Sequence, residues 1–342
     1  MIALASTPGF DPNAFARGLT TKQYDALQND IDKPLINRAL RGAYPPGSTV
    51  KPFFALAALK YGVMTPDQTI FCPGHFSLPG SSHQFRDWKP KGHGTVSMRH
   101  AIQQSCDVYF YTVANRLGID RMHDFMITFG FGELTGIDIP GEKPGLMPST
   151  EWKRRTYKRA AEQVWFPGET ISVGIGQGYM LATPMQLAHA ISGIASRGQI
   201  FRPRLVTGVR PAGSTAITPR EVQPEPPLTA VTADQWSVIV EGLELATGPG
   251  GTAAAATAGS PYKIAGKTGS AQVFTIGQNE KYNEKQVSER MLDHALFISF
   301  APAEDPKLAV AVFVENGKHG GSTAAPIARK IFDAYLLPDK PH

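Results

Sequence analysis

Three short groups of residues, spaced along the chain, carry the side chains that acyl transfer through a serine requires. The first offers a serine with a lysine three positions later, the second a further hydroxyl beside a carboxylate, and the third a lysine followed by small residues. They are, in chain order, Ser48-Thr49-Val50-Lys51, Ser105-Cys106-Asp107 and Lys267-Thr268-Gly269-Ser270. A serine nucleophile needs a base within hydrogen-bonding reach and donors aimed at the developing oxyanion. The combination therefore predicts a covalent acyl-serine intermediate, provided that the fold brings the groups together.

Ser48 is expected at the start of a buried helix. A Tyr-Pro-Pro-Gly sequence breaks the chain immediately before it, and apolar residues then recur from Thr49 to Tyr61. Residues three apart share one face of a helix, so Lys51 reaches the Ser48 hydroxyl and is the expected base for acylation. Free N–H groups at the helix start favour the developing negative charge. A lysine serves as base only when partly neutral, a condition that burial and a second ammonium, such as that of Lys267, both favour.

The same serine-lysine spacing occurs a second time, at Ser260-Pro261-Tyr262-Lys263. A chain of this length and ordinary composition contains roughly one such pattern by chance. Here a proline follows the serine and the residues lead into a predicted strand, where this spacing gives no shared helical face. We therefore expect the second pattern to take no part in the site.

The middle group is predicted to lie between two helices. One begins near Ser97, a suitable N-cap, and runs towards Gln104, and the next covers about 108–117. A loop at this point can project Ser105 into a cleft, where its hydroxyl would relay a proton while Asp107 orients the loop.

The third group is predicted on a strand, with extended residues at 262–265 and 270–274. Alternation along a strand directs Lys267 and Gly269 to one side and Thr268 to the other. Glycine at 269 would let a substrate backbone approach closely, and the N–H of Ser270 would complete an oxyanion hole with that of Ser48.

Elsewhere the pattern indicates a mixed α/β layer fold with an antiparallel sheet, because strands stand near both ends and helices between them. The expected elements are an N-terminal strand at 1–6, an irregular excursion at 65–95, a glycine turn at 174–178, a helix from Thr183-Pro184 to Arg197, a surface connection at 208–229, a polar loop at 275–290, a strand hairpin at 294–301 and 308–315, and a closing helix at 324–337. A strand so near the first residue suggests that the sequence continues a longer chain.

The composition is that of a globular protein: 342 residues, 42% hydrophobic, 18% charged, with a net charge of +5. No apolar run approaches a membrane span and no secretory signal opens the sequence. The basic excess is concentrated at Lys153-Arg154-Arg155 and Lys158-Arg159. Because no nucleic-acid-binding module accompanies this run, we interpret it as a solvated face and expect no nucleic-acid partner; an anionic envelope surface is the alternative.

Four longer stretches contain the three groups and resemble one family. They are Tyr44-Pro45-Pro46-Gly47-Ser48-Thr49-Val50-Lys51-Pro52, Gln104-Ser105-Cys106-Asp107-Val108-Tyr109-Phe110-Tyr111, Gly174-Ile175-Gly176-Gln177-Gly178 with Thr183-Pro184, and Gly266-Lys267-Thr268-Gly269-Ser270-Ala271-Gln272. Over essentially all of 1–342 the chain is similar to the transpeptidase domain of class B penicillin-binding proteins. Asp107, where many relatives have Asn, fits the elongation type better than the division type.

The resemblance implies a fold and an activity. The fold is the penicillin-binding/serine β-lactamase-like one, with a central antiparallel sheet flanked by helices and an all-helical subregion. The activity is peptidoglycan D,D-transpeptidation: Ser48 is acylated by the D-Ala-D-Ala stem peptide, with Lys51, Ser105, Asp107 and Lys267 as catalytic residues. Thr268, Gly269 and Ser270 bind substrate, and Lys267 and Thr268 hold its carboxylate, which explains acylation by β-lactams.

The resemblance also implies surroundings. A membrane anchor and a non-catalytic pedestal domain would precede these residues, the site would face the periplasm at the inner membrane, and a membrane glycosyltransferase of the elongation machinery would be a partner.

The two cysteines allow two interpretations. Cys72 and Cys106 can form a disulfide, or they can join Asp87 and His93 in a set of ligands that zinc accepts. Elongation-type relatives carry a zinc site matching Asp87, His93 and Cys106, with an aspartate where this chain has Cys72. Four protein ligands would leave no open position, so the zinc would be structural, one per chain, and would tie the excursion at 65–95 to Ser105.

Other functions share these motifs. A serine β-lactamase would need an additional base for deacylation, for which Glu162 and Glu169 are the nearest options. A D,D-carboxypeptidase, which uses water as acceptor, and a non-catalytic β-lactam sensor remain alternatives.

Overall fold

The computed structural model describes residues 1–228, 230–273 and 287–337. The helices are α1 Pro12–Arg17, α2 Thr21–Asn29, α3 Arg38–Arg41, α4 Lys51–Lys60, α5 Met98–Gln104, α6 Asp107–Leu117, α7 Ile119–Ile127, α8 Thr150–Thr156, α9 Ala160–Gln163, α10 Pro167–Val173, α11 Pro184–Ala195, α12 Ala233–Thr247, α13 Ala254–Thr257 and α14 Ala325–Leu336. The strands are β1 Ile70–Cys72, β2 His75–Phe76, β3 Phe85–Arg86, β4 Gly94–Val96, β5 Gly208–Val209, β6 Thr218–Pro219, β7 Ala265–Ala271, β8 His294–Ala301 and β9 Leu308–Val314. The predicted strand end at Phe274 and most of the predicted loop at 275–290 lie outside the described residues.

A three-stranded antiparallel sheet, ordered β7-β8-β9, carries the third chemical group. The central strand β8 is buried on both faces, which is why its sequence is almost continuously apolar. Leu296 and Ile298 face the main hydrophobic core, whereas Ala295 and Phe297 face a second core completed by α14. The sheet is thus the middle layer between two sets of helices, as the predicted mixed α/β fold requires.

The main core is a helical region built around α4. Every residue from Lys51 to Leu59 is buried, so this helix is enclosed on all sides and needs no polar face. It packs against α5, α6, α7 and α12. Pro52 stands in the first turn, where its missing N–H costs no hydrogen bond. The helical region therefore fixes Lys51 at the first position of a tightly packed helix.

The segment predicted as an irregular excursion at 65–95 contains strands of two short antiparallel pairs. Strand β1 pairs antiparallel with β4, and β2 pairs antiparallel with β3. Gly92 has φ +72°, and a Cβ there would lie 2.0 Å from the carbonyl oxygen of Cys72. Only glycine permits this approach of the two pairs.

Several elements differ from the prediction. The expected strand at 1–6 is wrong, because those described residues form no strand. The 15-residue helix α12 was not predicted, although Thr232 and Gln235 form a capping box at its start. Ser97 stands at the N-cap of α5, but its hydroxyl contacts His100 and makes no cap hydrogen bond. Among the described residues, none of the helices is long and apolar enough to cross a bilayer.

Candidate active site

The nucleophile turn, Gly47–Val50, is a single 3₁₀ turn that leads directly into α4. Ser48 is a half-buried residue of this turn. Gly47 has φ +53°, and a Cβ there would lie 2.4 Å from the carbonyl oxygen of Ser270. Glycine is therefore required where the turn contacts β7.

Lys51 joins the first two chemical groups. Its ammonium is fully buried and donates to the Ser105 carbonyl oxygen at 2.8 Å, to Ser105 Oγ at 3.1 Å and to Asp107 Oδ1 at 2.6 Å. These three acceptors match the three ammonium donors. Asp107 is thus the counter-ion of Lys51 as well as part of the loop, and Ser105 lies within proton-transfer distance of the lysine.

Ser105 holds a strained backbone conformation. It has φ 57° and ψ 40°, the left-handed region, at the C-cap of α5. A residue other than glycine in this region costs of order 1–3 kcal/mol and persists only where the surroundings impose it. The contacts from Lys51 impose it here, and they direct the Ser105 hydroxyl towards the lysine. No sequence pattern signals this conformation, since helices usually end this way on glycine.

Strand β7 presents the third group on both of its faces. Gly269 faces the nucleophile turn, where an added Cβ would lie 2.7 Å from Thr49 Cγ2. The Thr268 hydroxyl lies 2.7 Å from that of Thr252. The need for glycine at 269 therefore has a structural origin in the packing of the turn, while its role towards substrate stays a prediction.

Lys267 is the second fully buried lysine, and its ammonium donates to the Thr268 carbonyl oxygen at 2.9 Å. Burial holds the pKa of Lys267 well below the ordinary lysine value, and the nearby Lys51 ammonium lowers it further. Asp107 acts in the opposite direction but lies against Lys51. The buried part of the site consequently contains Lys51, Lys267 and a single carboxylate, that of Asp107. This arrangement favours the binding of an anionic group.

The second serine-lysine pattern stands apart from this site. Ser260 Oγ donates to the Tyr262 carbonyl oxygen at 2.6 Å, and the Lys263 side chain is 66% exposed. Lys263 pairs with Glu304 at 3.1 Å on the surface. Its spacing is therefore coincidental, as expected.

Cys72, Asp87, His93 and Cys106 converge, as the zinc interpretation requires. One ligand atom from each lies within 4.8 Å of all the others. His93 Nδ1 lies 3.6 Å from Cys72 Sγ and 3.4 Å from Asp87 Oδ1, and the His93 and Asp87 side chains are at most 1% exposed. Both cysteines are free thiols in this structure.

The donor set fits a divalent cation. Burial raises the pKa of the Cys106 thiol and of the Cys72 thiol and lowers the pKa of His93, so the cluster alone holds its protons on sulfur. A dication would stabilise thiolates and take the neutral imidazole as a ligand. The buried His93 Nε2, at the far side of the ring, has no hydrogen-bond partner among the described residues.

This cluster is bonded to the start of α6. Asp87 Oδ2 accepts from the Val108 N–H at 3.1 Å, and the Trp88 N–H donates to Asp107 Oδ2 at 2.9 Å. The indole of Trp88 donates to the Gln104 carbonyl oxygen at 3.1 Å, although the residue is 59% exposed. Sequence reasoning missed Trp88, whose adjacency to Asp87 was the only available signal.

The predicted glycine turn at 174–178 is confirmed, and it contacts the nucleophile turn. Gly47 N–H donates to the Gly176 carbonyl oxygen at 2.9 Å. The basic run is only partly a solvated face, because Lys153 on α8 is 3% exposed and pairs with Glu169. Glu162, the other glutamate considered as a base, pairs with Arg159 at the surface.

Comparison with known proteins identifies the family. The penicillin binding protein transpeptidase domain matches residues 1–333. Peptidoglycan D,D-transpeptidase MrdA of Acinetobacter baumannii is 46% identical over 99% of this chain, which spans 49% of that relative. The crystal structure of Pseudomonas aeruginosa PBP2 in complex with WCK 5153 matches with a TM-score of 0.85 and 46% identity, over 97% of this chain and 68% of that one. Helicobacter pylori PBP2, solved in complex with MreC, matches with a TM-score of 0.82 and 31% identity, over 98% of this chain and 57% of that one.

The chain therefore belongs to the penicillin binding protein transpeptidase domain family, and it has the fold of that family. It spans about half the length of the curated relatives it matches, between 49% and 53% for the first two.

Proposed function

We propose that this chain is the transpeptidase domain of an elongation-type peptidoglycan synthase, acting through Ser48 as a D,D-transpeptidase. The observation that carries the proposal is the buried contact of Lys51 with Ser105 and Asp107 one helical turn after Ser48. This contact supplies an ordered base and a hydroxyl relay beside a half-buried serine. The similarity to MrdA and PBP2 proteins over nearly the full chain supports the same function.

The proposed reaction has two half-reactions. With Lys51 in its neutral form, Ser48 Oγ attacks the carbonyl carbon of the penultimate D-Ala, and the serine proton passes to the Lys51 amine. The oxyanion is held by the N–H groups of Ser48 and Ser270. The C–N bond then breaks, the leaving D-Ala amine takes a proton through Ser105, and an ester to Ser48 remains. The amine of a neighbouring stem peptide attacks this ester, loses a proton to the same groups and releases Ser48 with a new peptide bond.

Substrate recognition follows from charge. The carboxylate of the terminal D-Ala would lie near Lys267 and Thr268, where its negative charge would favour the protonated form of Lys267. A β-lactam carries a comparable carboxylate and a strained acyl bond, so it would acylate Ser48 in the same orientation.

The glutamates considered for a hydrolase are engaged elsewhere, which favours a transferase. Glu169 is bonded to Lys153 and Tyr179, and Glu162 is paired with Arg159. Neither is arranged as a base that activates water at Ser48. We accordingly expect an acyl-enzyme with penicillin that persists for hours rather than seconds.

We further propose that Cys72, Asp87, His93 and Cys106 hold a structural zinc ion. When bound, the ion would supply charge for the thiolates and leave no coordination position for substrate. From the family resemblance, we also propose that the whole protein is anchored at the periplasmic face of the inner membrane and works with a membrane glycosyltransferase. The Helicobacter pylori protein was solved with MreC, which supports an elongation assembly as the setting.

Covalent labelling with a fluorescent penicillin tests the assignment of Ser48. Ser48→Ala is expected to abolish labelling, while Ser260→Ala, in the second serine-lysine pattern, keeps the wild-type level. Persistent labelling of folded Ser48→Ala protein would refute the proposal.

A further inference from the structure

A segment that begins in the glycine turn is hydrogen-bonded at two points to the residues leading into Ser48. We call residues 176–182 the clamp segment. The Gly176 carbonyl oxygen accepts from Gly47 N–H at 2.9 Å, and Ala182 exchanges two backbone hydrogen bonds with Tyr44, at 2.8 and 3.0 Å. Tyr179 lies between these points. The residues that lead into Ser48 are therefore hydrogen-bonded to the clamp segment both before and after Tyr179 in the sequence.

The clamp segment also fixes the turn against β7. Gln177 Nε2 donates to the Ser270 carbonyl oxygen at 3.5 Å, the same atom that leaves no room for a Cβ on Gly47. A Cβ on Gly176 would lie 2.2 Å from the Gly47 carbonyl oxygen. The relative placement of the Ser48 and Ser270 backbones thus depends on where the clamp segment lies.

Tyr179 is hydrogen-bonded to a carboxylate whose side chain is 20% exposed. Its hydroxyl donates to Glu169 Oε1 at 3.0 Å, and the same carboxylate accepts from Lys153 and, through Oε2 at 2.8 Å, from the Phe166 N–H. Burial and the hydrogen bonds to Tyr157 and Glu169 raise the pKa of Tyr179, so the hydroxyl keeps the proton it donates.

The ion pair stands in an aromatic surround. The Lys153 ammonium lies 5.5 Å from the ring centre of Trp165, 5.3 Å from that of Phe166 and 5.7 Å from that of Tyr179. Rings at this distance stabilise a desolvated cation. Buried ion pairs add little net stability, but they fix one arrangement where others compete. The function of this pair is therefore better sought in geometry than in stability.

We propose that Glu169 and Tyr179 are positioning residues for acylation at Ser48. Their hydrogen bond holds the clamp segment where the N–H groups of Ser48 and Ser270 converge on one oxygen. The inference rests on the proposed function only in taking Ser48 as the acylated residue. An oxyanion hole acts on the transition state, so its displacement slows the acylation step without weakening the initial complex.

Stopped-flow acylation by a chromogenic β-lactam separates these two quantities. Tyr179→Phe keeps the ring and removes the hydroxyl. We expect the first-order acylation constant to fall at least about tenfold, with the dissociation constant of the initial complex changed less than about twofold. The control is Tyr262→Phe, which removes a hydroxyl bonded to Asp333 at 2.6 Å on the α14 side of the sheet. Both variants lose a tyrosine-carboxylate hydrogen bond, but only the first should acylate slowly.

Glu169 variants give a second, independent readout. Glu169→Gln keeps an oxygen that accepts from Tyr179, whereas Glu169→Ala does not. Both lose the counter-ion of Lys153 and should melt earlier, but Glu169→Gln should recover most of the first-order acylation constant. An unchanged constant in Tyr179→Phe, equal slowing in Tyr262→Phe, or equal constants in the two Glu169 variants would overturn the inference. Wild-type protein that is not acylated at Ser48 would instead refute the proposed function.

Discussion

Two polar clusters, one largely buried and one partly exposed, support different parts of the site, and we call them the cysteine flank and the Lys153 flank. The cluster of Cys72, Asp87, His93 and Cys106 is bonded to Val108, next to Asp107, and so supports the side chains proposed to transfer protons. The cluster of Lys153, Glu169 and Tyr179 includes one residue of the clamp segment and so supports the backbone proposed to bind the oxyanion. The cysteine flank would support the side chains that transfer protons, and the Lys153 flank would support the backbone N–H groups that bind the oxyanion.

The two flanks also differ in what keeps them together. The Lys153 flank carries its own opposite charges, so its geometry is complete within the chain. The cysteine flank consists of a carboxylate, an imidazole and two thiols whose pKa burial raises, and it lacks a cation of its own. We therefore expect only the cysteine flank to respond to metal supply.

The largest effect should follow from Lys51→Met, which keeps the volume and removes the proposed base. We expect the second-order rate constant for penicillin acylation to fall about 10²- to 10⁴-fold, the contribution typical of a general base. Lys263→Met, at the exposed lysine of the second pattern, is the matched control and should acylate normally. A smaller loss than that of Tyr179→Phe would show that the chemistry is wrongly assigned to the cysteine flank.

Removal of metal should have the next largest effect. Chelation is expected to slow acylation about 10- to 100-fold, as loss of support around a site commonly does, and to lower the melting temperature, with recovery on adding zinc. Elemental analysis with thiol titration checks the occupancy. Cys72→Asp should keep zinc, Cys106→Ser should lose it, and Tyr179→Phe should leave it unchanged. Less than one zinc per chain, or a Cys72–Cys106 disulfide, would contradict the proposal.

Lys267→Met should give the smallest of the three effects. It is a gain in stability, opposite in sign to the loss expected on metal removal. Because burial lowers the pKa of Lys267, the unfolded state binds more protons between that lowered pKa and the ordinary lysine value. The wild-type free energy of unfolding should therefore rise with pH through this window and fall as pH decreases. Lys267→Met should remove this slope and raise stability below the window by about 1 kcal/mol or more. Urea unfolding across a pH series checks it, and parallel curves for the two proteins would refute it.

Much of the fold was accessible to sequence reasoning because local patterns are strong where elements are fully buried. The helix after Ser48, the hairpin of β8 and β9 and the closing helix all appeared close to their observed bounds. Helix α12 was not predicted, although the Thr232 capping box marks its start, because the segment contains no candidate catalytic or ligand residue. The strand expected at 1–6 was wrong, since a short apolar run forms a strand only when a partner is available.

The site divides in the same way. The order of Ser48, Lys51 and Lys267 predicted the chemistry, and the residue types at 72, 87, 93 and 106 allowed either a metal site or a Cys72–Cys106 disulfide. The ion pair of Lys153 with Glu169 was not predictable, because it depends on how α8 packs beside α10. The left-handed backbone of Ser105 was equally hidden, since tertiary contacts impose it against local preference.

Reaction with a stem peptide ending in D-Ala-D-Ala tests the central claim most directly. Intact-mass analysis should show the peptide minus its terminal D-Ala attached to wild-type protein but not to Ser48→Ala, with one D-Ala released per acyl-enzyme. Adding an acceptor amine should convert the adduct into a cross-linked product. Protein that binds penicillin covalently at Ser48 but releases no D-Ala from the peptide would contradict the account and identify a β-lactam sensor instead.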